Sequence, residues 1–136
     1  MKATVLRPSE IPARHRGGGA RTIPLVTRGT GSTSFLNGIT IFEPGAAIPL
    51  HSHNCEESVM LLEGKAIAEI DGVNYPIQVG DITFIPANIP HRFRNVSQTE
   101  SMKILWIYAS IDATRTLVET GDIRSIDEEH KAPVAS

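Results

Sequence analysis

The chain has 136 residues, 40% of them hydrophobic, which suits one compact domain with a continuous core. A formal charge of -2 and a pI near 6.2 offer no broad attraction to phosphate backbones or anionic lipid, so neither nucleic acid nor membrane is an expected partner. Cys55 is the single cysteine, which excludes an intramolecular disulfide. Residues 1–20 do not resemble the apolar core of a signal peptide, and no apolar run approaches the roughly 20 residues needed to span a bilayer, so a soluble, cytoplasmic protein is expected.

Residues 1–20 hold Pro8, Pro12, the run Gly17-Gly18-Gly19 and several basic side chains, and read as a flexible N-terminal arm. Arg14, His15, Arg16 and Arg21 form a short basic stretch, read as a solvated tail rather than an anion site. From Ile23 onward, short β-branched and aromatic segments alternate with turn formers. They predict strands over 35–43, 58–63, 66–70, 73–79, 82–85, 92–96 and 102–109. Asp71-Gly72 is a two-residue hairpin signal, and Glu43-Pro44-Gly45, Glu63-Gly64 and Val79-Gly80-Asp81 supply further reversals. The pattern is all-β, with the barrel over 21–120. Residues 121–136 form a C-terminal tail in which only 126–131 has helical character, of about one turn. The histidine-bearing pattern occurs once, so one barrel is expected and not two.

The chemistry concentrates in Gly45 to Gly64, which reads GAAIPLHSHNCEESVMLLEG. His51 and His53 stand two apart in an extended stretch, so their side chains share a face, with Cα atoms about 6 to 7 Å apart. Imidazoles so placed can converge on one ion at metal–nitrogen distances near 2.1 Å. Asn54-Cys55-Glu56 can then reverse the chain and return Glu57 beside them. His91 follows the proline-bounded turn Pro86-Ala87-Asn88-Ile89-Pro90 and enters from elsewhere in the barrel. Adjacent residues on a strand face opposite sides, so Glu56 and Glu57 cannot both point at the ion. Cys55 reads as a small hydrophobe, and His15 and His130 as solvated.

These residues resemble the two signature motifs of the cupin superfamily. Gly45, His51, His53, Glu57 and Gly64 fill G-x5-H-x-H-x3-E-x6-G; Gly80, Pro86, His91 and Asn95 fill G-x5-P-x-G-x2-H-x3-N, with Asn88 in place of its glycine. Asn is the residue that best replaces glycine at positive φ. The match spans Gly45 to Asn95, somewhat over a third of the chain. It implies a single antiparallel double-stranded β-helix, or jelly-roll, barrel, with His51, His53, Glu57 and His91 as ligands of one divalent metal ion. Glu57 rather than Glu56 is the carboxylate, because only Glu57 fits the motif spacings. A three-histidine, one-carboxylate set suits Fe, Mn, Ni, Zn or Cu and leaves coordination positions open.

Strand parity groups Val59 and Leu61 with Glu57, and Phe93 with His91, which makes the surroundings of the ion apolar. It turns Arg92 and Arg94 outward, which argues against a phosphosugar substrate. In the strand over 102–109, either Ile104, Trp106 and Tyr108 or Leu105 and Ile107 could face inward. The resemblance implies a metal-dependent enzyme for a small molecule. A dioxygenase-like reaction on a chelating enol, catechol or carboxylate ranks first, with Glu57 as the catalytic residue as well as a ligand. A non-oxidative isomerase or lyase using the metal as Lewis acid ranks second, and a non-catalytic ligand-binding barrel or a purely structural metal third. A homodimer is expected, built by sheet packing or strand exchange through residues 23–27.

Overall fold

A computed structural model describes residues 2–135. Twelve strands follow in order: β1 (Arg14–Gly17), β2 (Ala20–Pro24), β3 (Leu36–Phe42), β4 (His51–His53), β5 (Glu57–Glu63), β6 (Lys65–Ile70), β7 (Val73–Gln78), β8 (Ile82–Ile85), β9 (His91–Asn95), β10 (Met102–Tyr108), β11 (Thr114–Leu117) and β12 (Ile123–Ser125), closed by a one-turn helix α1 (Ile126–Glu129). They form two six-stranded sheets in the orders β1-β2-β3-β10-β5-β8 and β12-β11-β4-β9-β6-β7, and every pairing is antiparallel. This is the jelly-roll barrel. No helix among the described residues is long and apolar enough to cross a membrane.

Alternation builds the core. Glu57, Val59 and Leu61 of β5, His91, Phe93 and Asn95 of β9, and Met102, Ile104, Trp106 and Tyr108 of β10 all face inward. The face of β10 that parity left open is thus the one carrying Trp106 and Tyr108. Each large apolar side chain so buried contributes about 1.5 to 3 kcal/mol. Arg92 and Arg94 turn outward, where both reach Glu69 on β6. Asp71 and Gly72 both take positive φ, as a type I′ hairpin turn requires, and Ile70 faces Val73 across it.

The ends of the chain are more ordered than their composition suggests. Residues 14–17, inside the segment read as a flexible arm, form β1. Gly17, Gly18 and Gly19 all have positive φ and make the turn that folds β1 back on β2. The backbone of residues 13–15 is also clamped by the C-terminal segment: His15 N–H donates to the Pro133 carbonyl, and Ala135 N–H to that of Ala13. Beyond the predicted strands, β11 and β12 extend the second sheet, and Ile126 of α1 is fully buried. The first residues of the segment expected to serve a dimer contact, Ile23 and Pro24, lie in β2 and pair with Ile39 and Gly38 of β3, while β1 pairs with β2 only as far as Thr22.

Candidate metal centre

β4 and β9 lie side by side with His51 directly opposite His91, and His53 follows two residues along on the same face. The three rings pack with centroids 4.6 to 5.1 Å apart, and their ligand atoms all lie within 4.8 Å of one another. Their orientation is fixed by backbone. His51 Nδ1 is 2.7 Å from the Pro49 carbonyl, His53 Nδ1 2.9 Å from that of Thr114, and His91 Nδ1 2.8 Å from that of Ile89. A carbonyl only accepts, so each Nδ1 must carry the proton, and each neutral ring offers its Nε2 lone pair to the centre. The group could hold a metal ion.

Glu57 opens β5 and stands beside them. Its Oε1 lies 2.9 Å from His91 Nε2 and 3.5 Å from His53 Nε2, and all three atoms are buried without a hydrogen-bond partner. Lone pairs facing each other at such distances call for a proton or a cation between them. Burial holds His51 well below the ordinary imidazole range, with the positive charge that His53 and His91 would carry adding to the effect. Burial also lowers His53, against the opposing pull of Glu57. His91 suffers the same desolvation, but the Glu57 carboxylate outweighs it, so its pKa is raised. Asn88, with φ of 65°, turns the chain into β9 and donates its N–H to the His53 carbonyl at 2.7 Å, so the motif position where glycine is usual bears directly on a candidate ligand.

The cavity beside the histidines is small, with a free volume of about 20 Å³, room for about one water molecule. Ile48, Phe93, Ile104, Trp106 and Tyr108 make its wall largely apolar. Tyr108 packs on His53 with ring centroids 4.5 Å apart; burial first, and then the Glu57 charge, push its phenol well above the usual range, so it stays protonated at neutral pH. Trp106 donates its indole N–H to Thr40 Oγ1 at 2.9 Å.

Two charged cavity residues escaped the sequence reading. Arg16, from the stretch read as a solvated tail, and Arg115 of β11 both line the cavity and both grip Glu129 of α1; the Arg16–Glu129 pair is 3.0 Å long. Inward cations are therefore present, though not from β9. Alternation of β-branched residues at Thr114, Thr116 and Val118 was the available signal for the strand that carries Arg115. His130 is corrected too: its ring nitrogens are buried without partners, its ring lies 6.1 Å from that of Trp106, and burial lowers its pKa. His15 is exposed, as expected.

The cupin-domain family model matches residues 38–108, just over half of the chain. The chain is a cupin. This cupin is 37% identical over 106 residues to the polyketide synthase CurC of Streptomyces cyaneus, a match covering 76% of the chain and 68% of CurC. It is 41% identical over 51 residues to the quercetin 2,3-dioxygenase of Bacillus subtilis, covering 37% of the chain and 15% of that enzyme. Its fold superposes on the polyketide cyclase RemF of Streptomyces resistomycificus with a TM-score of 0.73 at 20% identity, over 93% of the chain and 86% of RemF.

Proposed function

We propose that this cupin is a metal-dependent enzyme that enolises an oxygen-rich, polyketide-type small molecule and closes a ring in it without consuming dioxygen, the enolate carbon adding to a second carbonyl of the same molecule, whose oxygen takes up the proton removed. The observation that carries the reading is the cluster of His51, His53 and His91, whose ligand atoms lie within 4.8 Å of one another, with Glu57 Oε1 beside His53 and His91 and those three atoms buried without a hydrogen-bond partner. The likeness to CurC supplies the substrate class.

His51, His53, Glu57 and His91 would hold one divalent ion of the kind that accepts nitrogen and oxygen ligands, Fe, Mn, Ni, Zn or Cu. Such an ion supplies Lewis acidity toward a substrate carbonyl or enol oxygen. The chain supplies the rest. The three backbone carbonyls keep the imidazoles in the binding tautomer, and the carboxylate oxygen of Glu57 not engaged as a ligand takes the proton from the carbon next to the substrate carbonyl. Tyr108, held neutral, donates a hydrogen bond to the oxyanion that develops. Phe93, Ile104 and Trp106 exclude water and so strengthen these interactions.

The test uses 2′-hydroxyacetophenone, a chelating methyl ketone whose methyl hydrogens exchange slowly by themselves. Under anaerobic conditions in D2O the metal-loaded protein should catalyse their exchange, followed by NMR, and His51→Ala should abolish it. Absence of retained metal after dialysis, or unchanged exchange in that variant, would sink the proposal.

The likeness to quercetin 2,3-dioxygenase favours one second reading, the dioxygenase-like reaction that the sequence ranks first. Oxygen uptake with a flavonol probe distinguishes the two. The expected homodimer is part of the proposal, and besides residues 23–27 the outer strands β7 and β8 offer a contact for it. There Val73, Tyr75, Ile82 and Phe84 are exposed, Ile82 and Phe84 by more than 60%, beside strands that each end a sheet. Open edges and clustered apolar side chains are features that a partner covers.

A further inference from the structure

Behind the metal cavity lies a second pocket of about 260 Å³, lined by Arg16, Pro49, Arg115, Leu117, Asp122 and Arg124. Arg16 and Arg115 line both spaces, so their side chains form the wall between them. Strand register explains the arrangement. Arg115 sits opposite His53 on one side and opposite Arg124 on the other, and residues paired across antiparallel strands project from the same face. The row His53, Arg115, Arg124 therefore runs from the candidate ligands to the exposed rim. The inner cavity admits about one water molecule, so a larger molecule with one end at the histidines would keep its body outside that cavity, and the second pocket is the space across the Arg16–Arg115 wall.

The charges in the wall do not balance. The side chains of Arg16 and Arg115 are 9% and 15% exposed, and both share the single carboxylate of Glu129, itself 7% exposed. On the second-pocket side one positive charge is left over, since the Glu57 carboxylate of the inner cavity is set against His53 and His91, and an unpaired charge in so poorly solvated a place is costly. Arg124 and Asp122 at the rim cancel, so the excess stands for the pocket as a whole. The pocket is also part apolar, through Pro49 and Leu117, which suits an anion carried on a carbon skeleton better than a bare inorganic one. Guanidinium groups match the planar, two-oxygen geometry of carboxylates.

We propose that the pocket of Arg16, Arg115 and Arg124 is a carboxylate subsite, which holds the acidic end of the substrate while its carbonyl end reaches the histidines. Only the second clause rests on the function proposed above; the anion site stands on charge and shape alone. Arg115 and Arg16 are then specificity-determining residues: they select acids over the corresponding amides or esters and set which end of the molecule approaches the histidines.

Calorimetric titration of the full chain with sodium benzoate, benzamide and inorganic phosphate, in metal-free and metal-loaded forms, tests this. Benzoate should bind in both forms, with benzamide and phosphate each at least about tenfold weaker. Arg124→Gln, at an exposed position, should weaken benzoate several-fold with an unchanged melting temperature, and Arg115→Gln should weaken it further. Metal content should be the same in both variants. Equal affinity for benzoate and benzamide, tighter binding of phosphate, no saturable benzoate binding, or wild-type affinity in both arginine variants would each overturn the subsite. A protein that binds benzoate but retains no metal keeps the subsite and overturns the metal reading, whereas one that retains metal but does not bind benzoate does the reverse.

Discussion

At each of the three histidines the Nδ1 proton is committed to a carbonyl, so what varies with pH is the Nε2 side. His51 and His53 are lowered and therefore already neutral near pH 7, whereas His91, raised by Glu57, keeps its proton to higher pH. Metal binding must expel that proton. Affinity for a divalent ion should rise as pH increases from 6 to 8, with proton release visible as a dependence of the binding heat on buffer ionisation enthalpy. His51→Ala should lower metal affinity at least about tenfold, measured by competition with a chelator.

Asn95, the last residue of the second motif, has a different task. Its side-chain NH2 faces the carbonyls of Phe42, Glu43 and Glu100 at 2.8 to 3.3 Å, and its oxygen accepts from Ser97 N–H at 3.1 Å. It ties together the ends of β3 and β9 and the approach to β10, and touches no candidate ligand. Asn95→Ala should cost about 2 to 3 kcal/mol in denaturant unfolding, since it leaves several buried groups unpaired. Metal content should be unaffected.

Between elements, the tightest constraint is where β3 passes β10. Gly38 is paired with Trp106, and a Cβ at Gly38 would come within 2.5 Å of the indole and 2.7 Å of the Ile23 carbonyl. Trp106 forms part of the cavity wall, so the glycine sets how far that wall can retreat. Gly38→Ala should destabilise by about 1 to 3 kcal/mol through overpacking and shift the Trp106 fluorescence. β11 is equally consequential for its length. Its Thr114 carbonyl orients His53, and its Arg115 reaches the cavity. At the other end of the second sheet, Pro76 lies on β7, a strand with a neighbour on one side only, where the missing N–H costs no ladder bond to a second strand.

For the molecule as a whole, burial of neutral histidines makes stability pH-dependent in a definite direction. His51, His53 and His130 have lowered pKa values, so below about pH 6.5 the unfolded chain takes up protons that the folded chain refuses, and stability falls as pH drops. His91 acts oppositely, adding stability that is fully present below the unfolded value and lost as pH rises through its raised folded value. Three groups against one leave a net loss on acidification. At about 1.4 kcal/mol per pH unit for each unopposed group, the metal-free protein should be measurably less stable at pH 5.5 than at pH 7 in urea titrations. In light scattering the chain should run as a dimer, and Phe84→Glu should convert it to a monomer; a wild-type monomer would remove the dimer.

Much of this was legible in the chain because it depends on local period and spacing. Alternation in 57–63, 91–95 and 102–108 defines inward and outward faces wherever the strand falls, and Asp71-Gly72 can scarcely form anything but a hairpin. The two-residue spacing of His51 and His53 places both imidazoles on one face by chain geometry alone, whereas Glu57 meets them from β5 of the other sheet. What the tertiary structure decided are the meetings of residues far apart in sequence. Only the closed barrel sets Thr114 against His53, brings Arg16 from the first strand and Glu129 from the last helix to Arg115, and draws His130 into the interior. The polar ends read as loose because their composition carries no burial signal of its own. Their order comes from one another, through contacts between residues 13–15 and 133–135 that no local pattern announces.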